Sequence, residues 1–305
     1  MSDPDVIPAS PDLAAVEAAI RSAVDRRRPD ELDLIGNGEF SIAVHWRCDG
    51  THWVMKRVPP FRSRAAADGY IALTRDYIAT LRARGVRCVA TDLAALTRPD
   101  GRTVVYHVQP LLDVEQLADQ VLARDEPDPE HPLAVAVVDT VVAALRGPDG
   151  SGVNGVGLDA QFANWYHHDG EPWQLDFSTP LLLDPAGRIR FEAWGFLQEY
   201  PLPLRPLVYR EVTALAPRYL DTGYVLTDVL VGLIRQDLDA WCEPVVRIAR
   251  HRHGIEISPA EAAEHYREEA QLFPRLLKLK RLQRAWIQRT GRRYDSLLPT
   301  ASSFG

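Results

Sequence analysis

The sequence predicts an α+β chain: a small antiparallel sheet with one long helix, followed by a larger, mainly helical part. Three observations predict it. Three short apolar runs between residues 32 and 58 are separated by the turn Gly36-Asn37-Gly38 and the hairpin signal Asp49-Gly50, which is a meander pattern. From Ser63 to Arg84 apolar residues recur at helical spacing. Beyond about Arg205 the pattern is mainly helical.

Taken in order, Ser10-Pro11-Asp12 opens a first helix, with Ser10 as the expected cap and Pro11 at the first helical position. Leu13, Val16, Ile20 and Val24 carry its apolar face, and Arg26, Arg27 and Arg28 close it at the negative end of the helix dipole. Leu32 to Ile35, Ile42 to Trp46 and Trp53 to Val58 read as strands, and Pro59-Pro60 ends the third. Ile71, Tyr77, Ile78 and Leu81 line the long helix, which Gly85 stops. Val104 to Gln109 is a further strand after the turn Pro99-Asp100-Gly101, closed by Pro110. The run Asp125 to Glu130 is acidic and proline-broken, hence a surface loop. Pro132 to Leu145 is helical, and Gly147 to Gly157, with five glycines in eleven residues, is a loop. Short strands follow at Phe162 to Tyr166 and Trp173 to Phe177, and Ser258-Pro259-Ala260-Glu261 is a capping box. The expected division is 1–109 for the N-terminal lobe with its leading helix and 110–305 for the C-terminal lobe.

Composition excludes several classes. With 305 residues, 46% hydrophobic and 25% charged, the chain can bury a sizeable core without staples. A net charge of −7 argues against nucleic acid as a partner. Cys48, Cys88 and Cys242 are odd in number and far apart, so no disulfide framework is expected and a reducing cytoplasm is the expected compartment. No uncharged apolar run approaches the roughly 20 residues that span a bilayer, so no membrane partner is expected. The start, MSDPDVIPASPD, lacks the basic and apolar regions of a signal peptide.

Four features that carry chemistry fall in one order. The turn Gly36-Asn37-Gly38-Glu39-Phe40-Ser41 lets backbone N–H groups approach phosphates closely, although such a turn also serves as a plain hairpin. Lys56 lies inside a strand among apolar neighbours, aimed at a charge or solvated at an edge. Asp159-Ala160-Gln161-Phe162-Ala163-Asn164 comes third. Asp176-Phe177 comes fourth, twelve residues after Asn164. Asp159, Asn164 and Asp176 offer hard oxygen ligands of the kind that suit Mg²⁺.

This order resembles the protein-kinase-like superfamily, in particular its aminoglycoside and choline phosphotransferase branch, over roughly Leu32 to Leu183. The resemblance implies a two-lobed kinase-like fold that uses ATP and Mg²⁺. It gives the nucleotide-binding role to Gly36, Asn37, Gly38, Ser41 and Lys56. Asp159 becomes the catalytic residue that orients the acceptor hydroxyl, and Asn164 and Asp176 become the metal ligands. Gln109 and Leu111, in the segment Tyr106 to Leu111, would form the hinge that holds the adenine, and Glu115 could reach the ribose. The hairpin back to the metal site would turn at His167, His168, Asp169 and Gly170. The helix acid that pairs with the strand lysine has no Glu counterpart. Asp76, twenty residues after Lys56, stands about where it belongs, and Asp68 is a second choice. Gly157 stands where the family has a bracing His, and Asp176-Phe177-Ser178 replaces Asp-Phe-Gly.

The activity implied is transfer of the γ-phosphoryl group to a hydroxyl of a small metabolite or antibiotic-like molecule. Asp125 to Glu130, Glu192, Glu199 and Asp221 are candidate acids for a cationic acceptor. Ser or Thr in a peptide is the alternative acceptor, although no Ala-Pro-Glu follows Asp176. The departures at Gly157 and Asp76 motivate a nucleotide-binding pseudokinase without turnover as the other reading. From Arg275 to Arg293 eight basic residues run without an acid, either as a packed helix face or as a surface for an anionic partner.

Overall fold

The computed structural model of the protein describes residues 3–26, 28–37, 41–146, 155–184, 186–191 and 205–271. Helix α1 (Leu13–Arg26) leads into a five-stranded antiparallel sheet. Its strands are β1 (Leu34–Asn37), β2 (Ile42–Cys48), β3 (Thr51–Arg57), β5 (Asp92–Thr97) and β6 (Thr103–Pro110), in the spatial order β1-β2-β3-β6-β5. Helix α2 (Arg64–Ala83) connects β3 to the short strand β4 (Arg87–Cys88). The helical part carries α3 (Ala118–Arg124), α4 (Pro132–Arg146), α5 (Arg205–Leu215), α6 (Thr222–Arg235), α7 (Cys242–His253) and a helix α8 over 259–271. Between α4 and α5 lies the hairpin β7 (Trp165–His168) and β8 (Glu171–Gln174), with β4 parallel to β8. The architecture is α+β and two-lobed, consistent with a kinase-like fold.

Local chemistry accounts for most of the boundaries. Asp12, rather than Ser10, caps α1: one of its carboxylate oxygens accepts the N–H groups of Ala14 and Ala15 at 2.9 and 3.2 Å. Ser63 caps α2 through the Ala66 N–H. Asp49 and Gly50 both have positive φ, 49° and 76°, as a two-residue hairpin that follows the strand twist requires. Asp169 and Gly170 repeat this at 51° and 80°. That turn is therefore two residues long, and His167 and His168 belong to β7 instead. Phe162 to Asn164 is a short 3₁₀ turn ahead of β7, not the start of the strand.

Both faces of β6 are covered, whereas β3 is buried on one face and only partly on the other. Met55, Trp53, Val104, Tyr106 and Val108 pack with Val16, Ile20 and Val24 of α1. Val105 joins Ala67, Tyr70 and Ile71 of α2 on the other face. All eight positions of β6 are buried for that reason. Further along α2, Leu73, Tyr77, Ile78 and Leu81 enter the core of the helical part, so this helix joins the two cores. Among the described residues no helix is long and apolar enough to cross a membrane.

One buried ionic cluster fastens α1 to the sheet. Glu17 accepts Arg57 Nε and Nη2 at 2.8 and 3.0 Å and the Tyr106 hydroxyl at 2.6 Å, with Arg98 at 3.5 Å. Burial would raise the Glu17 pKa, but Arg57, Tyr106 and Arg98 outweigh it and hold the carboxyl below its usual value. Removing Glu17 takes away the carboxylate that compensates the buried Arg57 guanidinium and the acceptor of the Tyr106 hydroxyl, while Arg98 keeps Asp100. Glu17→Ala should therefore cost about 3–5 kcal/mol, read as a lower urea midpoint at unchanged slope. A loss under about 1 kcal/mol, the range of an exposed pair, would show that this cluster does not hold the helix.

Candidate active site

Strand alternation sets the first half of the site. Arg57 faces α1, so its neighbour Lys56 faces the opposite side, toward the helical part. There Lys56 Nζ lies 2.6 Å from Asp176 Oδ2, with the two side chains 18% and 23% exposed. The other Asp176 oxygen accepts the N–H and Oγ–H of Ser178 at 2.9 and 2.8 Å. Burial would raise Asp176, but the Lys56 ammonium and the Ser178 donors prevail and hold its pKa at about 2.

The β7–β8 hairpin brings Asp176 back to Asn164 and Asp159. Leu175 N–H donates to the Asn164 carbonyl at 3.0 Å. The buried Gln174 amide nitrogen bridges the carbonyls of Asp159 and Asp176 at 3.1 and 3.4 Å. Asn164 Nδ2 points at the Asp159 carbonyl at 3.5 Å, which leaves its amide oxygen as the acceptor of that side chain. Asp159 Oδ1 is out of solvent and has no hydrogen-bond partner. Burial first, then the charges of Asp228 and Asp176, push the Asp159 pKa up to about 7 against the opposing Gln161 N–H and Lys56.

Two absences in the kinase-like pattern have structural answers. A Cβ on Gly157 would meet the Tyr219 carbonyl oxygen at 2.9 Å and Leu181 Cβ at 3.0 Å, so no histidine fits. The backbone is instead held by Gly157 N–H to Leu181 O at 2.7 Å and by the Tyr77 hydroxyl on Gly157 O at 2.9 Å. The helix acid is answered less directly. Asp76 is half exposed and pairs with Arg190 at 2.8 Å, and Asp68 pairs with Arg64, so neither is brought to Lys56. The carboxylate on that lysine is Asp176 itself.

Gly36 and Asn37 end β1 opposite Ala43 and Ile42, beside Ser41, while Gly38, Glu39 and Phe40 lie outside the described residues. The Gln109 side chain is occupied: its amide nitrogen donates to Thr91 Oγ1 and to Leu175 O, both at 2.8 Å. Its backbone lies near the end of β6, and Leu111 follows just after the strand. Glu115 pairs with Arg124. Asp125 pairs with His131, and Asp221 caps α6 on the Tyr224 N–H. Glu192, Glu199 and the basic stretch 275–293 lie outside the described residues.

One residue beside Asp159 was not among those expected from sequence. Asp228, 8% exposed on α6, accepts Gln161 Nε2 at 3.1 Å, and burial raises its pKa. Gln161 Oε1 accepts from Arg235, which pairs with Glu269 of α8 at 2.5 Å. The signal was present: an acid inside the apolar run Val225 to Leu233 has to face a partner or a site. His107, in the apolar run of β6, carried the same signal.

Residues 15–285 match the family described as "Family of unknown function (DUF6206)". The chain belongs to that family. No curated protein matches the chain. Among solved structures it is similar to one titled "WaaP in complex with acyl carrier protein", at 16% identity and a TM-score of 0.35, over 88% of this chain and 90% of that one. A likeness this loose transfers no activity or partner to the DUF6206 chain.

The raised Asp159 pKa has a measurable consequence for this DUF6206 protein. An unfolded Asp releases its proton near pH 3.9, whereas the folded chain keeps it to about pH 7. The stability this provides is complete below about pH 4 and is lost as pH rises through about 7. Without added metal, Asp159→Asn should therefore melt several degrees above the unaltered chain at pH 8, and the gap should close toward pH 5. A gap independent of pH would contradict this account.

Proposed function

We propose that this chain is an ATP- and Mg²⁺-dependent phosphotransferase that moves the γ-phosphoryl group to a hydroxyl of a small metabolite or antibiotic-like molecule. The observation that carries the reading is the juxtaposition of Lys56 with Asp176 across the lobes, with Asp159 presenting an unpartnered carboxylate oxygen nearby. Lys56 and the backbone of Gly36, Asn37, Gly38 and Ser41 bind the phosphates, and the backbone from Gln109 to Leu111 takes the base. Asp159 orients the acceptor hydroxyl and accepts its proton as the phosphoryl group arrives. Asp76 has no part in this assignment, because Arg190 holds it.

The residues fit a magnesium ion of the nucleotide-borne kind. Among the described residues no cluster of three or more His, Cys, Asp or Glu side chains forms a protein cage for a metal. Mg²⁺ needs none here, since it binds through one or two side chains, waters and the substrate phosphates. Asn164 and Asp176 would supply those side chains, and the ion would neutralise charge on the phosphates. Catalysis of this kind rests on positioning and electrostatics. The charges of Asp228 and Asp176 beside Asp159 favour an acceptor that brings positive charge over an anionic one, while Glu269 is paired with Arg235.

A thermal-shift titration with ATP and GTP, each with and without Mg²⁺, tests the proposal. ATP with Mg²⁺ at 100 times its dissociation constant should stabilise the chain by about 2.7 kcal/mol, and Asp176→Asn should lose the metal-dependent part. Asp159→Asn should keep the nucleotide shift while transfer falls by about 10²–10⁴-fold. No shift with any nucleotide would overturn the reading.

A further inference from the structure

Helix α2 has no acid facing Lys56, yet it reaches the site by another route. Tyr70 and Tyr77 are seven residues apart, two turns of helix, so they share a face. Both are buried, at 6% and 2% exposure. The Tyr70 hydroxyl donates to the Ser178 carbonyl at 3.0 Å and lies 2.8 Å from His107 Nε2. A carbonyl can only accept, so the hydroxyl proton is committed to Ser178. His107 must then present Nε2–H to the tyrosine oxygen, which fixes its tautomer. Burial, reinforced by Lys56, keeps that imidazole neutral, with its pKa pushed down to about 3.

These contacts close a ring. Ser178 holds Asp176 Oδ1 through its N–H and its hydroxyl, and Tyr70 holds Ser178 by its carbonyl. His107 holds Tyr70, and His107 is the cross-strand partner of Lys56 in the β3–β6 ladder. Lys56 in turn pairs with the other Asp176 oxygen. Asp176 is thus fixed through both oxygens to one ring of groups, and Tyr70 is the single member that α2 contributes. Tyr77, on the same helix face, holds the Gly157 carbonyl ahead of Asp159 and takes no part in this ring.

Resting on the phosphotransferase reading, we infer that Tyr70 is a positioning residue. Its hydroxyl stands in for the missing helix acid by setting the segment Asp176-Phe177-Ser178 against Lys56. It touches neither nucleotide nor metal and acts through Ser178. The function it serves is the metal-dependent part of nucleotide binding, because Asp176 is the carboxylate it fixes.

Tyr70→Phe removes one oxygen and leaves the aromatic side chain in place. Calorimetric titration of a non-transferable ATP analogue, with and without Mg²⁺, reads the effect. The expected result is a metal-dependent affinity weakened about five- to tenfold, the worth of one buried hydrogen bond, with the metal-free affinity unchanged. Tyr77→Phe is the comparison: it loses an equally buried hydroxyl bond on the same helix and should lower the melting temperature without changing the ratio of the two affinities. Equal effects of the two variants, or a lower melting temperature for Tyr70→Phe with both affinities intact, would overturn the inference and leave Tyr70 a packing residue. If Tyr70→Phe does not fold, His107→Leu, which removes the donor that orients the hydroxyl, carries the same expectation. Absence of metal-dependent nucleotide binding in the unaltered chain would instead overturn the phosphotransferase reading.

Discussion

Two adjacent cations on β3 have to face opposite ways, and much of the molecule is arranged around that requirement. Arg57 and Lys56 sit side by side in a strand, Arg57 on its buried face and Lys56 on a face only partly open to water. A charge taken out of water is tolerated only when paired and hydrogen-bonded. On one side α1 supplies Glu17, with Tyr106 and Arg98 completing its partners. On the other side the chain supplies Asp176 from more than a hundred residues downstream. A register slip of one residue would exchange the two faces and leave both cations opposite the wrong partner. The hairpin Asp49-Gly50, whose φ values only a primed turn accommodates, holds that register.

What could be read from sequence follows the range of the interactions involved. The meander, α2 with its Ser63 cap, and the hairpin turns depend on residues within a few positions of each other, and each is visible locally. The order Lys56, Asp159, Asn164, Asp176 was legible as a pattern, though the contacts between these residues were not. Strand β5 was missed because Asp-Leu-Ala-Ala-Leu-Thr buries only Leu93 and shows no alternation; its pairing with β6 decides it. Asp76 was misplaced for a related reason. A helix acid at the right separation satisfies a spacing argument, but the rotation of α2 about its axis is set by Ile71, Tyr77 and Leu81, and that rotation turns Asp76 outward to Arg190.

The departures from the kinase-like pattern belong together. The usual loop histidine and helix acid both fix active-site backbone or side chains from outside. Here the Tyr219 carbonyl crowds Gly157 so closely that a side chain is excluded, and bracing passes to backbone bonds and to Tyr77. A neutral hydroxyl on a carbonyl is weaker than an ion pair, but it leaves no buried charge uncompensated if the partner moves. Bracing from α2 by two tyrosines therefore leaves the Lys56–Asp176 pair as the ionic contact of that ring.

The two aspartates of the site are the same residue type seventeen positions apart, and the fold drives them in opposite directions. Asp176 has Lys56 on one oxygen and two Ser178 donors on the other, and its pKa settles at about 2. Asp159 has an oxygen with no donor, two carboxyls near it and only distant help from Lys56, and it settles at about 7. A group meant to hold a cation has to remain an anion at every working pH, and the first environment ensures that. A group meant to accept a proton does so most effectively when its pKa lies near the operating pH, and the second environment provides it. Asp228 matters in this contrast because, after burial, its charge is what most raises Asp159. Sorting two like residues into a fixed anion and a proton acceptor is the arrangement that acid–base sites share, and the proposed phosphotransferase would use Asp176 as the first and Asp159 as the second.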